Sequence, residues 1–177
     1  MLIHPHDAAG DDEWRDFVTA QGFGHLVAAG TGRPVPVVAP TQFLLDGDTV
    51  WLHLAAPNPL LGALAEQPMA LLSVAGDWAY IPAAWKAIDD EDPARGIPTT
   101  YYGAVQLTGP VTVLDDPEEV AAVLRRQLAD LEPGSGTVDP IEHAAKLRAI
   151  RGLRLDIEAV RAKLKYGGNV DDAHRQA

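Results

Sequence analysis

Short apolar runs separated by glycine, proline and aspartate make up most of the hydrophobic pattern of this chain. Within the runs apolar and polar positions tend to alternate, which is typical of strands that bury one face. The Asp46-Gly47 pair, flanked by strand-like residues, is the strongest hairpin signal. The pattern predicts sequential antiparallel strands at 25–30, 35–39, 41–55, 69–76, 77–82 and 101–114.

The last strand-like segment, 151–169, carries a basic and glycine-rich end. Leu153, Leu155 and Ile157 alternate with polar residues, so we predict one continuous strand there. Two lysines two residues apart then share a side, followed by glycines whose backbone can come close to a ligand. In a chain of net charge −11 such a cluster is a candidate anion site. The alternative is a solvated strand end.

Helices are predicted between the strands. Asp11 or Asp12 can cap a helix that runs to about Gln21, and Asn58-Pro59 is a typical helix start. Two more helices are expected, at about 115–132 and at 141–149, and Gly109-Pro110 is expected to mark a bulge or bend in its strand. Residues 83–100 are expected to form a surface excursion. The order of elements indicates a mainly β, α+β fold, an antiparallel barrel decorated by helices.

Composition narrows the class of protein. With 177 residues, 47% of them hydrophobic, we expect a single domain over 1–170 and a flexible tail over 171–177. There is no cysteine, and 25 acidic residues against 14 basic ones disfavour direct contact with nucleic acid. No secretory signal and no long apolar stretch is evident, so a cytoplasmic location without a membrane partner is expected.

Five short motifs follow one another along the chain. They are MLIHPH at the N-terminus, LHLAAPNP at 52–59, AYIPAAW at 79–85, IPTTYYGAVQLTG at 97–109 and IRGLRLDIEAVRAKLKYGGN at 150–169. In this order they resemble the motifs of the PaiB-type FMN-binding proteins, known as negative transcriptional regulators, of the flavin split-barrel superfamily. The resemblance implies an antiparallel split β-barrel of six or seven strands with peripheral helices.

The same resemblance implies a homodimer that binds FMN, or a related flavin, at the subunit interface. Cations or a helix N-terminus would hold its phosphate and flat aromatic walls its ring. If the protein is an enzyme, it would be a flavin-dependent oxidoreductase. No metal site is expected. The candidate cofactor-binding residues are His53, Asn58, Trp85, Tyr102, Lys163, Lys165 and Asn169, with Trp51, Tyr101 and Gln106 as further candidates around the ring.

Departures from the family pattern leave alternatives open. Ala56 stands where the family usually has arginine, and Gly167-Gly168 replace a polar pair. A dimer without cofactor, acting as a regulatory or ligand-sensing module, is therefore the second interpretation. Asn58 may equally be read as a helix cap with no ligand. A third interpretation is haem binding in the same fold, with His6, His25, His53 or His143 as axial ligand.

Overall fold

Eight strands and four α-helices are present in the computed structural model, which describes residues 1–87 and 92–170. The predicted tail at 171–177 lies outside the described residues. The strands are β1 Phe23–Ala28, β2 Val37–Gln42, β3 Leu44–Asp46, β4 Thr49–Ala55, β5 Met69–Ile81, β6 Thr99–Leu114, β7 Ile150–Asp156 and β8 Ala159–Lys165. The helices are α1 Asp11–Gln21, α2 Pro59–Glu66, α3 Pro117–Leu131 and α4 Ala144–Leu147.

All the strand pairings are antiparallel, in the order β2-β1-β5-β6-β7-β4-β3, with β8 also paired to β6. The 16-residue β6 connects the two halves of this arrangement. Its first part lies between β5 and β8, whereas its last residues pair with β7. This is the predicted antiparallel split barrel of the α+β class. The eighth strand arises because the C-terminal segment forms two strands.

The core lies inside the barrel, where alternate residues of each strand meet. Leu52, Leu72, Leu107 and Leu155 come from four strands and are fully buried. The residues between them face outward, towards helices or solvent. On this outer face α3 covers β4 and β7, and the N-terminal segment covers β8. A smaller apolar cluster of Val120, Ala121 and Leu147 lies outside the barrel, beneath α3 and α4.

A bulge interrupts the long β5–β6 pair. Ala75 is paired with Ala104 and Trp78 with Tyr102, so that two residues of β5 oppose Gly103 alone. Beyond the bulge the two strands continue as an arm whose β5 side is exposed. Of the excursion predicted at 83–100, the described part contains 3-10 helices at Ala83–Lys86 and Pro93–Arg95.

Several predicted elements are confirmed. Helix α1 begins at Asp11 and ends at Gln21, with Trp14 and Val18 buried, although Gly10 is its N-cap. Asn58 caps α2 through a hydrogen bond that its Oδ1 accepts from the Leu60 amide at 3.0 Å. The predicted hairpin at Asp46-Gly47 joins β3 to β4, and Gly47 has a φ of +58°.

Several predictions about strands and helices were wrong in detail. The segment 151–169 is not one strand, because the chain turns at Ile157 and Glu158, whose amides donate to the Asp48 and Thr108 carbonyls. The strands predicted at 69–76 and 77–82 form one strand, β5, which the bulge interrupts. At Gly109-Pro110, where a bulge or bend was predicted, β6 passes from its pairing with β5 and β8 to its pairing with β7 without a register shift. A Cβ at Gly109 would clash with the Asp156 carbonyl, so glycine permits the close approach of that turn. The helix expected at 141–149 is a 3-10 turn followed by the four-residue α4.

No helix in the described ranges is both long enough and apolar enough to span a membrane.

Candidate functional site

A cleft of about 800 Å³ lies between the β5–β6 arm, the end of β8 and the start of α1. Its aromatic walls are Trp85, Tyr101 and Tyr166, and among the described residues its lining includes one lysine, Lys86, and one carboxylate, Glu13. The Lys86 ammonium lies 5.9 Å from the centroid of the Tyr101 ring. The backbone of Gly167 and Gly168 forms part of the floor. Flat rings and a cation make this cleft suited to a planar anionic ligand.

The strand register explains which side chains reach the cleft. Tyr101, Gly103 and Leu164 lie on the inward face of their strands, and Leu164 is opposite Gly103. A side chain at Gly103 would collide with the Phe17 ring and the Tyr166 hydroxyl. Glycine at this position therefore lets both aromatic residues come close to β6. Gly167 has a φ of +80°, which favours glycine where the chain turns past the cleft.

Tyr166 borders the cleft and is 53% exposed. Partial burial raises the pKa of its hydroxyl, and the negative charge of Asp77 raises that pKa further. The hydroxyl therefore stays protonated at neutral pH and can donate a hydrogen bond. Neither the basic motif nor the family motifs pointed to Tyr166 or Lys86. Alternation could have found Tyr166, since a residue next to Lys165 must face the opposite side of the strand.

The predicted lysines lie on the outer face of β8 rather than in this cleft. Lys163 is only 7% exposed, because the N-terminal segment covers it. Its ammonium donates to the Leu2 carbonyl at 3.1 Å and lies 3.5 Å from Oδ2 of Asp7, itself 2% exposed. Among the described residues neither Asp7 carboxylate oxygen has a hydrogen-bond partner. Lys163 is thus the counter-ion of a buried carboxylate.

Lys165 and Tyr102 are paired across β8 and β6, on the same outer face. The Lys165 ammonium donates to the Thr99 hydroxyl at 2.7 Å. The Tyr102 ring lies 5.5 Å from the Lys163 ammonium. The structure therefore groups Tyr102, Lys163 and Lys165 together, whereas Trp85 stands in the cleft on the other side of the sheet. Asn169 is exposed, next to the cleft residue Gly168.

His53 and Asn58 belong to other parts of the molecule. Asn58 serves as the cap of α2, which packs on β1 and β2. His53 lies on the outer face of β4 beneath α3, with its Nδ1 2.7 Å from Oε1 of Gln127. Of the further ring candidates, Trp51 also lies under α3, where the Arg126 guanidinium is 4.6 Å from its ring.

Of the histidines weighed as haem ligands, His53 and His143 line one cavity beneath α3, and the other two lie elsewhere. His6 stacks on His4 at the N-terminus, His25 is exposed on β1, and His53 lies beneath α3. Within the described ranges no three histidine, aspartate or glutamate side chains are grouped in a way that could hold a metal ion.

Comparison with solved structures supports the fold assignment. A FAD and heme binding protein from Mycobacterium smegmatis superposes with a TM-score of 0.73 at 20% identity, covering 92% of this chain and 74% of that one. The flavocytochrome Anf3 from Azotobacter vinelandii gives 0.66 at 22% identity, with 93% and 75% covered. The heme storage protein HutZ from Vibrio cholerae gives 0.58 at 12% identity, with 86% and 94% covered. At such identities the likeness concerns the fold alone.

No curated protein sequence matches the chain. A family match, in contrast, extends over residues 1–159 and therefore includes every element from α1 to the turn after β7. The chain belongs to the family described as "Putative FMN-binding domain".

Proposed function

We propose that this protein binds a flavin, FMN in particular, with its ring system in the cleft between Trp85, Tyr101 and Tyr166. The observation that carries the proposal is the cleft itself, an aromatic-walled space of about 800 Å³ in a chain of this family. Aromatic and apolar walls with a few fixed polar groups are what a flat heteroaromatic ring requires.

The size of the cleft favours FMN over FAD. Benzene occupies a cavity of about 150 Å³, so a ligand needs roughly 25 Å³ per heavy atom. FMN, with about 31 heavy atoms, then needs on the order of 800 Å³, and FAD, with about 53, needs on the order of 1300 Å³. The cleft has the volume for the smaller cofactor.

Lys86 is the residue that we propose for the phosphate. Among the described residues it is the lysine that lines the cleft. The Lys163 ammonium is instead paired with the Asp7 carboxylate, and the Lys165 ammonium donates to the Thr99 hydroxyl. A single lysine binds phosphate as a point charge and leaves its orientation to other donors. A tight turn at Gly167-Gly168 brings main chain to the same cleft.

Tyr166 would orient the ring by a hydrogen bond. The raised pKa of its hydroxyl, caused by burial and by Asp77, keeps the donor proton in place. When bound, a flavin supplies reversible hydride and electron transfer. The side chains described here would hold the ring, exclude water from one of its faces and keep a proton at Tyr166.

We further propose that the protein is a homodimer formed through the β5–β6 arm. Trp78, Tyr80, Trp85 and Ile97 are each more than half exposed on this arm. Large apolar side chains grouped on one surface usually mark an interaction site. Trp85 belongs both to this surface and to the cleft wall, so a second subunit placed there would lie beside the proposed flavin, as the family resemblance implies.

A regulatory role of the PaiB type would act through a metabolite or a partner protein. With a net charge of −11 the chain has little positive charge to neutralise a nucleic-acid backbone. A gel-shift assay at low salt against promoter fragments tests this, and tight specific binding would contradict it.

The second candidate function is a dimer that senses a ligand without a flavin. It is favoured by the engagement of Lys163 with Asp7 and of Lys165 with Thr99, because both lysines expected to meet a phosphate already have partners. A colourless protein that does not respond to added FMN would support this alternative.

Titration of the purified protein with FMN, riboflavin and FAD distinguishes the two functions. We expect a perturbed flavin absorbance band and quenched flavin fluorescence with FMN, and weaker binding of the other two. The Tyr101→Ala variant removes a ring wall and is expected to lose about tenfold in affinity. Phe23→Ala, which removes an exposed aromatic residue outside the cleft, is the matched control. Equal affinity of Tyr101→Ala and the wild type would place the flavin elsewhere.

A further inference from the structure

One aromatic side chain of helix α1 packs into a slot between two strands, next to the proposed flavin cleft. Phe17 lies one helical turn after Glu13, which lines the cleft, and on the same side of α1. The Phe17 ring lies against Gly76 in β5 and Gly103 in β6. A Cβ at Gly76 would stand 2.7 Å from Cε2 of this ring, and a Cβ at Gly103 would be closer still. The ring therefore has room because both positions are glycine.

The bulge in the β5–β6 pair creates this slot. Gly76 and Asp77 together oppose Gly103, so two glycines face each other across the strands. The same two ring atoms of Phe17, Cε2 and Cζ, come nearest to both glycines, so a single ring fills the slot. Bulges often redirect side chains beside functional sites. Among the residues that the structure describes, the lining of the cleft includes neither Phe17 nor Gly76.

The Phe17 ring is also a neighbour of the Tyr166 hydroxyl. The position of a Cβ on Gly103 is 2.6 Å from that hydroxyl and adjoins the ring edge of Phe17 as well. Burial raises the pKa of the Tyr166 hydroxyl, and the charge of Asp77 raises it further. The ring is an apolar neighbour that contributes to this burial. Because Tyr166 lines the cleft, it is the side chain through which Phe17 can affect a ligand there.

We propose that Phe17 is a positioning residue of the flavin site, which holds the Tyr166 hydroxyl as a hydrogen-bond donor towards the bound ring. This role rests on the proposed function, because the ligand of the cleft is taken to be a flavin. Phe17 acts through Tyr166 and does not itself touch the ligand. Loss of the Phe17 ring should therefore change the environment of the donor, while the walls Trp85 and Tyr101 stay in place.

Phe17→Ala tests this role in the full chain, first without any flavin. With tyrosine labelled at 13Cζ, NMR follows the titration of each of the 4 tyrosines, and Tyr166→Phe assigns the signal. Loss of the ring should hydrate the Tyr166 hydroxyl, so its pKa should fall towards the ordinary value of 10.0. Val120→Ala, in the separate apolar cluster beneath α3, is the control for lost stability and should leave this pKa unchanged. Circular dichroism at each pH checks that the variants stay folded.

Gly76→Ala reaches the same hydroxyl only through the ring. The new methyl would displace Cε2 and Cζ of Phe17, and its other near neighbour is the Gln21 amide at 3.3 Å. We expect Gly76→Ala to lower the pKa of Tyr166 as Phe17→Ala does. In the double variant Phe17→Ala/Gly76→Ala the methyl has no ring to displace, so the pKa should equal that of Phe17→Ala alone. Additive effects of the two substitutions would contradict the proposed role.

Flavin binding at pH 7 is the second readout. Phe17→Ala should weaken FMN about threefold to tenfold, but should have no further effect in a Tyr166→Phe background, where the donor is already absent. An unchanged Tyr166 pKa in Phe17→Ala, or a loss of FMN affinity that persists in the Tyr166→Phe background, would overturn the inference. A wild-type protein that binds no flavin would remove the proposed function, whereas a Tyr166 pKa that still falls in Phe17→Ala would keep the link between the two side chains. The two failures are therefore distinguishable.

Discussion

The ammonium of Lys163 lies 3.5 Å from the carboxylate of Asp7, and both side chains are buried beneath the N-terminal segment. The two residues are distant in sequence, so this contact ties the beginning of the chain to the last strand. Because no solvent shields the pair, each charge depends on the other. Lys163 therefore has a structural partner, which a basic motif read from sequence alone cannot reveal.

Removing the Asp7 carboxylate should destabilise the protein. Asp7→Ala leaves the Lys163 ammonium buried without a counter-ion, beside the Leu2 carbonyl and the Tyr102 ring. Breaking a buried ion pair in this way costs about 3–5 kcal/mol. Urea unfolding followed by circular dichroism measures the change in the free energy of unfolding.

The double variant Asp7→Ala/Lys163→Met is the control for this prediction. It removes both charges, so it should recover most of the loss. Asp48→Ala, which breaks the exposed contact with Arg15, should have a much smaller effect. A double variant as unstable as Asp7→Ala would show that the charge pair is not the cause.

Binding of the FMN phosphate should depend on Lys86 more than on Lys165. Lys86→Ala removes the cation of the cleft and should weaken FMN about tenfold, while riboflavin, which has no phosphate, should bind as before. Lys165→Ala should have a smaller effect, because its ammonium is held by Thr99. Fluorescence titrations with both flavins test this. The reverse order of effects would place the phosphate on the outer face of β8.

A methyl group at Gly103 should disturb the cleft. In Gly103→Ala the new Cβ meets the Phe17 ring and the Tyr166 hydroxyl, and both must move. We expect a loss of stability of about 1–3 kcal/mol and weaker FMN binding. Gly62→Ala is the matched control, since its Cβ would stand 3.7 Å from the Arg33 guanidinium and α2 should gain up to about 1 kcal/mol. Unchanged FMN affinity in Gly103→Ala would argue against this cleft.

Asp139 should make stability depend on pH. Hydrogen bonds from the Arg125 guanidinium, and then from the Ile141 amide, lower the pKa of Asp139 below its ordinary value of 3.8. The pKa of Asp139 is therefore lower in the folded state than in the unfolded state. The stabilisation that Asp139 contributes is complete above pH 3.8, and it is lost as the pH falls through the folded-state pKa.

Asp139→Asn should therefore lower the melting temperature at pH 7, and the difference from wild type should shrink as the pH falls below about 4. Melting curves at several pH values measure this. Asp16→Asn, at an exposed position on α1, is the control. A difference that stays constant down to pH 3 would contradict the assignment.

The β5–β6 arm should govern self-association. Trp78→Glu/Tyr80→Glu places two charges on the surface proposed for the dimer, and sedimentation should then detect a monomer. Phe23→Glu introduces a charge at an exposed aromatic position on β1 and should leave the dimer intact. A wild-type protein that sediments as a monomer would remove the basis of this proposal.

The sequence predicted the fold well at positions where a single residue determines a helix cap or a turn. Asn58 caps its helix, and Gly47 adopts the left-handed conformation of the hairpin. The division of the last segment into two strands was missed, because the turn at Ile157-Glu158 is held by carbonyls of distant strands. The close approach of Asp156 to Gly109 was missed for the same reason, since it is a tertiary contact.

The candidate site was less accessible to prediction. Trp85, predicted as a cofactor-binding residue, lines the cleft, whereas the predicted lysines lie on the other face of the sheet. Alternation along β8 showed that Lys163 and Lys165 share a face. It could not show which face meets the cleft, because that depends on the covering segment around Asp7. Lys86 lies in a 3-10 turn where no periodic pattern exists.

The extra residue in β5 determines which side chains beyond it face the cleft and which face outward. Up to Val74 the even-numbered side chains of this strand are internal, yet beyond Gly76 and Asp77 it is Ile81, not Trp78 or Tyr80, that reaches the cleft. Shortening this strand by one residue would exchange the two sets. The bulge between Ala75 and Trp78 thus reverses the alternation of side chains along β5, and separates a lining that faces the cleft from an outward aromatic surface within a single hairpin.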